Sequence, residues 1–179
     1  MIRTLIPYAL SNFTLTFLVI GLLFSAVAIA RAPNPMNPSV MIEKLLSWYV
    51  FWTVGVAYLY NFVFHVFFGE MATRFIGWSD SPFQLEVGTA SLGFAAVGFL
   101  AAFRSFDLRV AAILGPGLFC LGAAVGHIHQ MITAHNFAPG NAGVIFWMDI
   151  LLPLFGAVLL WLSHNTSGHG GVGLLPQTA

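Results

Sequence analysis

The sequence predicts an all-α protein, a polytopic transmembrane bundle of five helical spans, and three observations predict it. Of 179 residues, 59% are hydrophobic and 7% are charged, against about a quarter charged in soluble domains; the mean hydropathy is +0.89. The apolar residues fall in five runs, at about 4–30, 41–69, 82–103, 108–134 and 143–163. Each reaches the roughly 20 residues that cross a bilayer as a helix. None alternates as a barrel strand does, and lipid cannot satisfy an open backbone, so helices remain. The bilayer is therefore the first partner. The formal net charge is zero, and the six basic residues form no stripe, which excludes nucleic acid. Cys120 is the one cysteine; it allows no intrachain disulfide, and its apolar setting makes it a small packing residue.

The first run resembles a secretion signal, because Arg3 precedes it and "SAVAIARA" ends it in small residues. At about 27 residues it outlasts the 7–15 residues of a signal core, so it is expected to stay as a span. "RAPNPMNPSV" follows, an extended connector with three prolines. The second span ends in "YNFVFHVFFGE", where Tyr58, Asn61 and His65 share a face at i, i+3 and i+7. "SDSPFQLE" opens the third span, with Ser81 expected as N-cap, Pro82 at the first helical position and Gln84 in the capping-box place. Gly88, Gly93 and Gly98 on that span, with Gly122 and Gly126 on the fourth, predict close packing of the two, and a face for a homo-oligomer or membrane partner. "HNFAPGNAG" is a tight turn, with Asn141 expected to cap the fifth span. Pro116 and Pro153 are expected kinks. Residues 1–163 then form one transmembrane domain, and 164–179 a glycine-rich flexible tail.

Basic residues orient the bundle. One side holds Arg3 and Arg74; the other holds Arg31, Lys44, Arg104 and Arg109. The richer side is expected to be cytoplasmic, placing the N-terminus outside and the C-terminus inside a plasma (inner) membrane.

The polar residues of the spans gather at one depth. His65 lies near the outer end of span two, Glu86 about one turn into span three, His127, His129 and Gln130 in the outer third of span four, and Asp149 about two turns into span five. Charges in hydrocarbon cost at least about 2.5 kcal/mol each and usually face the bundle interior in pairs. His65, Glu86, His127 and Asp149 are therefore expected to converge on one site, with Tyr58, Asn61, Glu70, His129, Gln130 and Asn141 lining or flanking it. His127 and His129 point nearly opposite ways on a helix, so at most one faces the centre. Asp149 is the leading single candidate: with no basic neighbour in sequence, it needs a proton of its own or a partner on another helix. Blander readings stand beside these. A lone His65 is more often a hydrogen-bonded interior residue than a ligand, and Glu70 reads as an interfacial residue paired with Arg74 four positions on.

The stretches from "FHVFFGEMATRFIGWSDSPFQLEVG" and "GHIHQMITAHNFAPGNAGVIFWMDILLPL" resemble a family of small bacterial and archaeal integral membrane proteins catalogued as a domain of unknown function. The shared features are His65, the "GW…SPFQ.EVG" stretch, the "GH" before "NFAPGNAG", and the aspartate before "ILLPL", over about residues 60–155. The resemblance implies several helical spans and residence in such a membrane. It brings no substrate.

Two carboxylates and two histidines from four helices match the ligand inventory of Fe, Mn, Zn or Cu sites, although no Glu-x-x-His pair is present. A haem held by His65 and one of His127 or His129 is a variant. The favoured expectation is thus a metal or small-ligand site. The alternatives are a proton- or cation-coupled transport pathway, for which intramembrane Asp, Glu and His are the usual vocabulary, and an accessory subunit whose polar cluster only fixes helix register. No nucleotide loop, nucleophile elbow or zinc-protease signature is present, so enzymatic activity stays open.

Overall fold

A computed structural model describes residues 2–166, and among these every regular element is helical. In chain order they are α1 (Ile2–Ser11), α2 (Phe13–Ala30), α3 (Pro38–Tyr49), a π-helical segment (Val50–Val56), α4 (Ala57–Phe67), α5 (Gly69–Ile76), α6 (Phe83–Ala101), α7 (Phe106–Thr133), α8 (Pro139–Ala142) and α9 (Val144–Thr166). Five stretches are long and apolar enough to cross a membrane: Phe13–Ala30, Pro38–Phe67, Phe83–Ala101, Phe106–Thr133 and Pro139–Thr166. The chain is a multi-pass integral membrane protein. Of the expected tail, residues 164–166 complete α9; residues 167–179, with His169, lie outside the described residues.

Two expected spans are not single α-helices. The first is broken at Asn12 (φ −112°, ψ 40°), whose side-chain amide donates to Tyr8 O at 2.9 Å. Such a local bond offers the backbone an alternative to helix. The second changes to π-helix at Val50–Val56 before resuming as α4. At its other end Asn37 caps α3, its Oδ1 accepting from Ser39 N at 2.9 Å, with Pro38 in the first turn.

The π segment coincides with a close helix approach. A Cβ on Gly98 of α6 would stand 2.6 Å from Gly55 N and 2.9 Å from the Val54 carbonyl carbon, so α6 comes to within backbone contact there. Gly88, Ser91, Ala95 and Gly98, all buried, form the packing stripe of α6. Gly88 lies against Val66 and His65 of α4. The glycines of the third span thus seat it on the second span, not on the fourth as expected; Gly93 and Gly122 have nothing within 4 Å of a Cβ position, and Gly126 lies against Trp78. Nothing in this arrangement supports the expected oligomer face.

The buried core lies toward the end of the bundle made by the 31–37 and 102–105 connections. Leu46, Tyr49, Val50, Ala101, Ala112, Ile113, Met148, Leu152 and Leu159 pack there. Arg109, at 4% exposure, closes that end through two 2.7 Å bonds to the Glu43 carboxylate and a third from Nε to Ala101 O. A second, smaller cluster of Val54, Tyr58 and Ala95 leads toward the opposite end.

Candidate functional site

At that opposite end the bundle is not filled. A cavity of ≈ 980 Å³ lies between α1, α2, α4, α6, α7 and α9, roofed by α5 and the 77–84 connection, and its walls are mainly apolar. Tyr58, Asn61, His65, Cys120, His127 and Asp149 are among its polar lining groups.

His127 is the best-placed of these. It is buried on α7 and held from three directions. Asn141, fully buried in α8, donates through Nδ2 to His127 O at 3.2 Å and to Asn136 O at 2.9 Å. Those two carbonyls fix the amide, so Oδ1 is the acceptor; it takes the Trp78 indole N–H at 2.8 Å and lies 2.8 Å from His127 Nδ1. Since Oδ1 can only accept, Nδ1 carries a hydrogen. Nε2 then faces Asp149 Oδ2 at 3.4 Å. Two lone pairs at that distance repel strongly in a low-dielectric interior, so one proton stands between them, and the pair sums to zero charge whichever atom holds it. This is the partner that an aspartate in span five required.

Asn141 was expected to cap the last span. It works instead as the hub that joins α7, α8 and Trp78, the second residue after α5. That hub is braced by the 134–138 turn: Asn136 donates to Ile76 O and Gly77 O and accepts from Ala138 N. Gly77 adopts the left-handed conformation (φ 76°) that ends α5 and aims Trp78 inward; a Cβ there would stand 2.7 Å from Asn136 Oδ1.

The second polar group is built on α4 and α6. His65 Nδ1 bonds Gln84 Oε1, and Asn61 Nδ2 donates to Ser91 Oγ at 2.9 Å. Gln84 was expected to close a capping box; α6 instead begins at Phe83 with no side-chain cap, and a tertiary partner has claimed the amide. Tyr58 donates to Pro116 O at 3.1 Å and touches Cys120 Sγ at 3.0 Å, so the cysteine lies on the cavity wall.

The four expected metal ligands do not all converge: His65, His127 and Asp149 line the cavity and Glu86 does not. Glu86 is exposed. It stands two residues, about 200° of helix, from the inward-facing Gln84, and Thr89 and Gly93 on its face are exposed too. The buried stripe of α6 starts at Gln84, and that register turns Glu86 outward. Glu70 pairs with Arg74 at 2.8 Å in the open. His129 is exposed and Gln130 half-buried; neither lines the cavity. Among the described residues no three or more His, Cys, Asp or Glu side chains group closely enough to hold a metal ion. The described residues therefore support neither the expected metal site nor its haem variant. Trp78, Gln84 and Asn136, which position the histidines, were missed by sequence reasoning; a tryptophan next to a helix-ending glycine was the one signal available for the first.

A family model described as a family of unknown function (DUF6790) matches residues 11–169, and the chain belongs to that family. The match includes the first span, beyond the 60–155 stretch that carried the resemblance. No curated protein and no solved structure matches the chain.

Proposed function

We propose that this member of the DUF6790 family binds a small lipid-soluble ligand in the cavity, with the His127–Asp149 pair as its polar anchor. One observation carries the reading: an acid–base pair, held rigidly by Asn141 and Trp78, faces a large apolar space in place of packed side chains. Apolar pockets with a few convergent polar groups are the usual form of a small-molecule site. His65, Asn61 and Tyr58 supply further hydrogen-bonding edges. The excess of basic residues on the other side (four against two) supports an outer-leaflet position for the cavity, with the N-terminus outside a plasma membrane.

Solvent extraction of protein purified in mild detergent tests this. The wild type should yield a stoichiometric lipid-soluble compound by mass spectrometry, and Asp149→Asn should yield several-fold less. Equal extracts from the two proteins would remove the pair from the site.

A further inference from the structure

The cavity wall carries a charge pattern and one conspicuous buried hydroxyl, and together they narrow the ligand class. Among the described residues no lysine or arginine lines the cavity. Arg74, from the neighbouring α5, is exposed and paired with Glu70. Arg109 is engaged by Glu43 at the far end. Among the described lining residues His127 and Asp149 form the acid–base pair, and the fixed Nδ1–H of His127 leaves that pair with one shared proton and no net charge. A phosphate head group would meet no lysine or arginine among the described lining residues, and an ammonium head group would meet no carboxylate there that lacks a proton partner. Burying an unpaired charge costs far more than burying a hydrogen-bonded neutral group.

The hydroxyl is Thr14 Oγ1. Thr14 lies on α2 at 9% exposure and lines the cavity, yet its hydroxyl has no hydrogen-bond partner among the described residues. Its usual recourse, the carbonyl four residues back, belongs to Leu10 and already accepts the Tyr60 hydroxyl at 3.2 Å. Buried polar atoms are nearly always partnered. His65 adds a ring edge: its only bond within the described residues is through Nδ1 to Gln84, which leaves Nε2 uncommitted.

We infer that the cavity selects a lipid-soluble molecule with an uncharged, hydrogen-bonding head group, and that Thr14 is one of the residues that hold the head. The inference rests on the cavity being a ligand site, and it goes further in naming the head-group class and a residue outside the His127–Asp149 pair.

Three probes that share an oleoyl-type chain test it by native mass spectrometry on the full chain in detergent: monooleoylglycerol, 1-oleoyl lysophosphatidic acid and oleylamine. Monooleoylglycerol should bind at least tenfold more tightly than either charged probe. Equal or tighter binding of lysophosphatidic acid or oleylamine overturns the head-group class and leaves the ligand site standing. Failure of all three to bind overturns both. Thr14→Val should weaken monooleoylglycerol several-fold without lowering thermal stability, because it removes a buried hydroxyl that nothing in the chain satisfies; Thr14→Ser should restore binding. Unchanged affinity in Thr14→Val overturns the role of Thr14.

Discussion

Each end of the bundle carries an acid–base pair with a buried base, Arg109 at one and His127 at the other, and the two are built differently. Arg109 and Glu43 meet through two 2.7 Å contacts, with Ser47 adding a bond to the same carboxylate and core side chains packed around them. His127 and Asp149 meet once, at 3.4 Å, beside a cavity. A guanidinium fork matches a carboxylate in shape and uses up its lone pairs. A single imidazole nitrogen does not, and beyond it Asp149 faces only the weak hydrogen-bonding thiol of Cys120. The first pair is complete within the chain. The second has capacity to spare and a space in front of it, which is the arrangement expected where structure serves a ligand.

The sharpest way to break this contrast is to remove one partner from each pair and measure unfolding in detergent. Arg109→Ala should cost about 3 kcal/mol, because it strands a partly buried carboxylate and three acceptors. Glu43→Gln should cost a comparable amount, since it leaves the 5%-exposed Arg109 guanidinium without its counter-charge while an amide oxygen can still accept from it. A loss under about 1 kcal/mol for Arg109→Ala would show that the closed end is not held by its charge pair.

Next in size is the hub of the cavity end. Asn141→Leu keeps the branched shape and deletes four hydrogen bonds, leaving the Trp78 indole, His127 Nδ1 and the Asn136 carbonyl without that partner. Unsatisfied buried groups cost about 1–3 kcal/mol each, with partial relief by water. A total loss of about 2–3 kcal/mol is expected, with a red-shift of Trp78 emission against a Trp78→Phe control. An unshifted spectrum would mean that Trp78 does not depend on the hub.

Smaller in stability, larger in function, is Asp149→Asn. The amide can still meet His127 Nε2, so the unfolding free energy should change by about 1 kcal/mol or less, while ligand recovery falls several-fold. The comparison fails if Asp149→Asn destabilises as much as Arg109→Ala. Both pairs would then be structural.

How legible these two ends were in the sequence follows from what each depends on. The five spans were readable because length and apolarity are local properties. That Asp149 needs a proton or a partner on another helix was readable because a lone carboxylate in hydrocarbon demands one; that the partner is His127 and not His129 was not. The break at Asn12 and the π segment were not, since each depends on a competing bond or on the approach of α6 to Gly55, which no local pattern announces. Gln84 and Asn141 misled for one shared reason: both sit where helix caps are expected, and in both a tertiary partner (His65, or His127 with Trp78) outweighs a capping bond worth about 1 kcal/mol. The Glu43–Arg109 pair went unforeseen because its members are 66 residues apart, and each alone reads as an interfacial charge.

The smallest expected effect concerns Glu86, the carboxylate that depth alone placed in the cluster. Depth fixes where along a helix a residue sits, and rotation decides which way it faces. Gln84 faces inward, so Glu86 two positions on faces out. Its remaining physical role is at the start of α6, where a carboxylate in the first turn gains roughly 0.3–1 kcal/mol from the helix N-terminus. Glu86→Gln should therefore lower stability by no more than about 1 kcal/mol and leave binding of monooleoylglycerol unchanged. A several-fold loss of binding in Glu86→Gln at unchanged stability would place that carboxylate back among the cavity groups, and the two ends of the bundle would no longer differ in the way their charge pairs suggest.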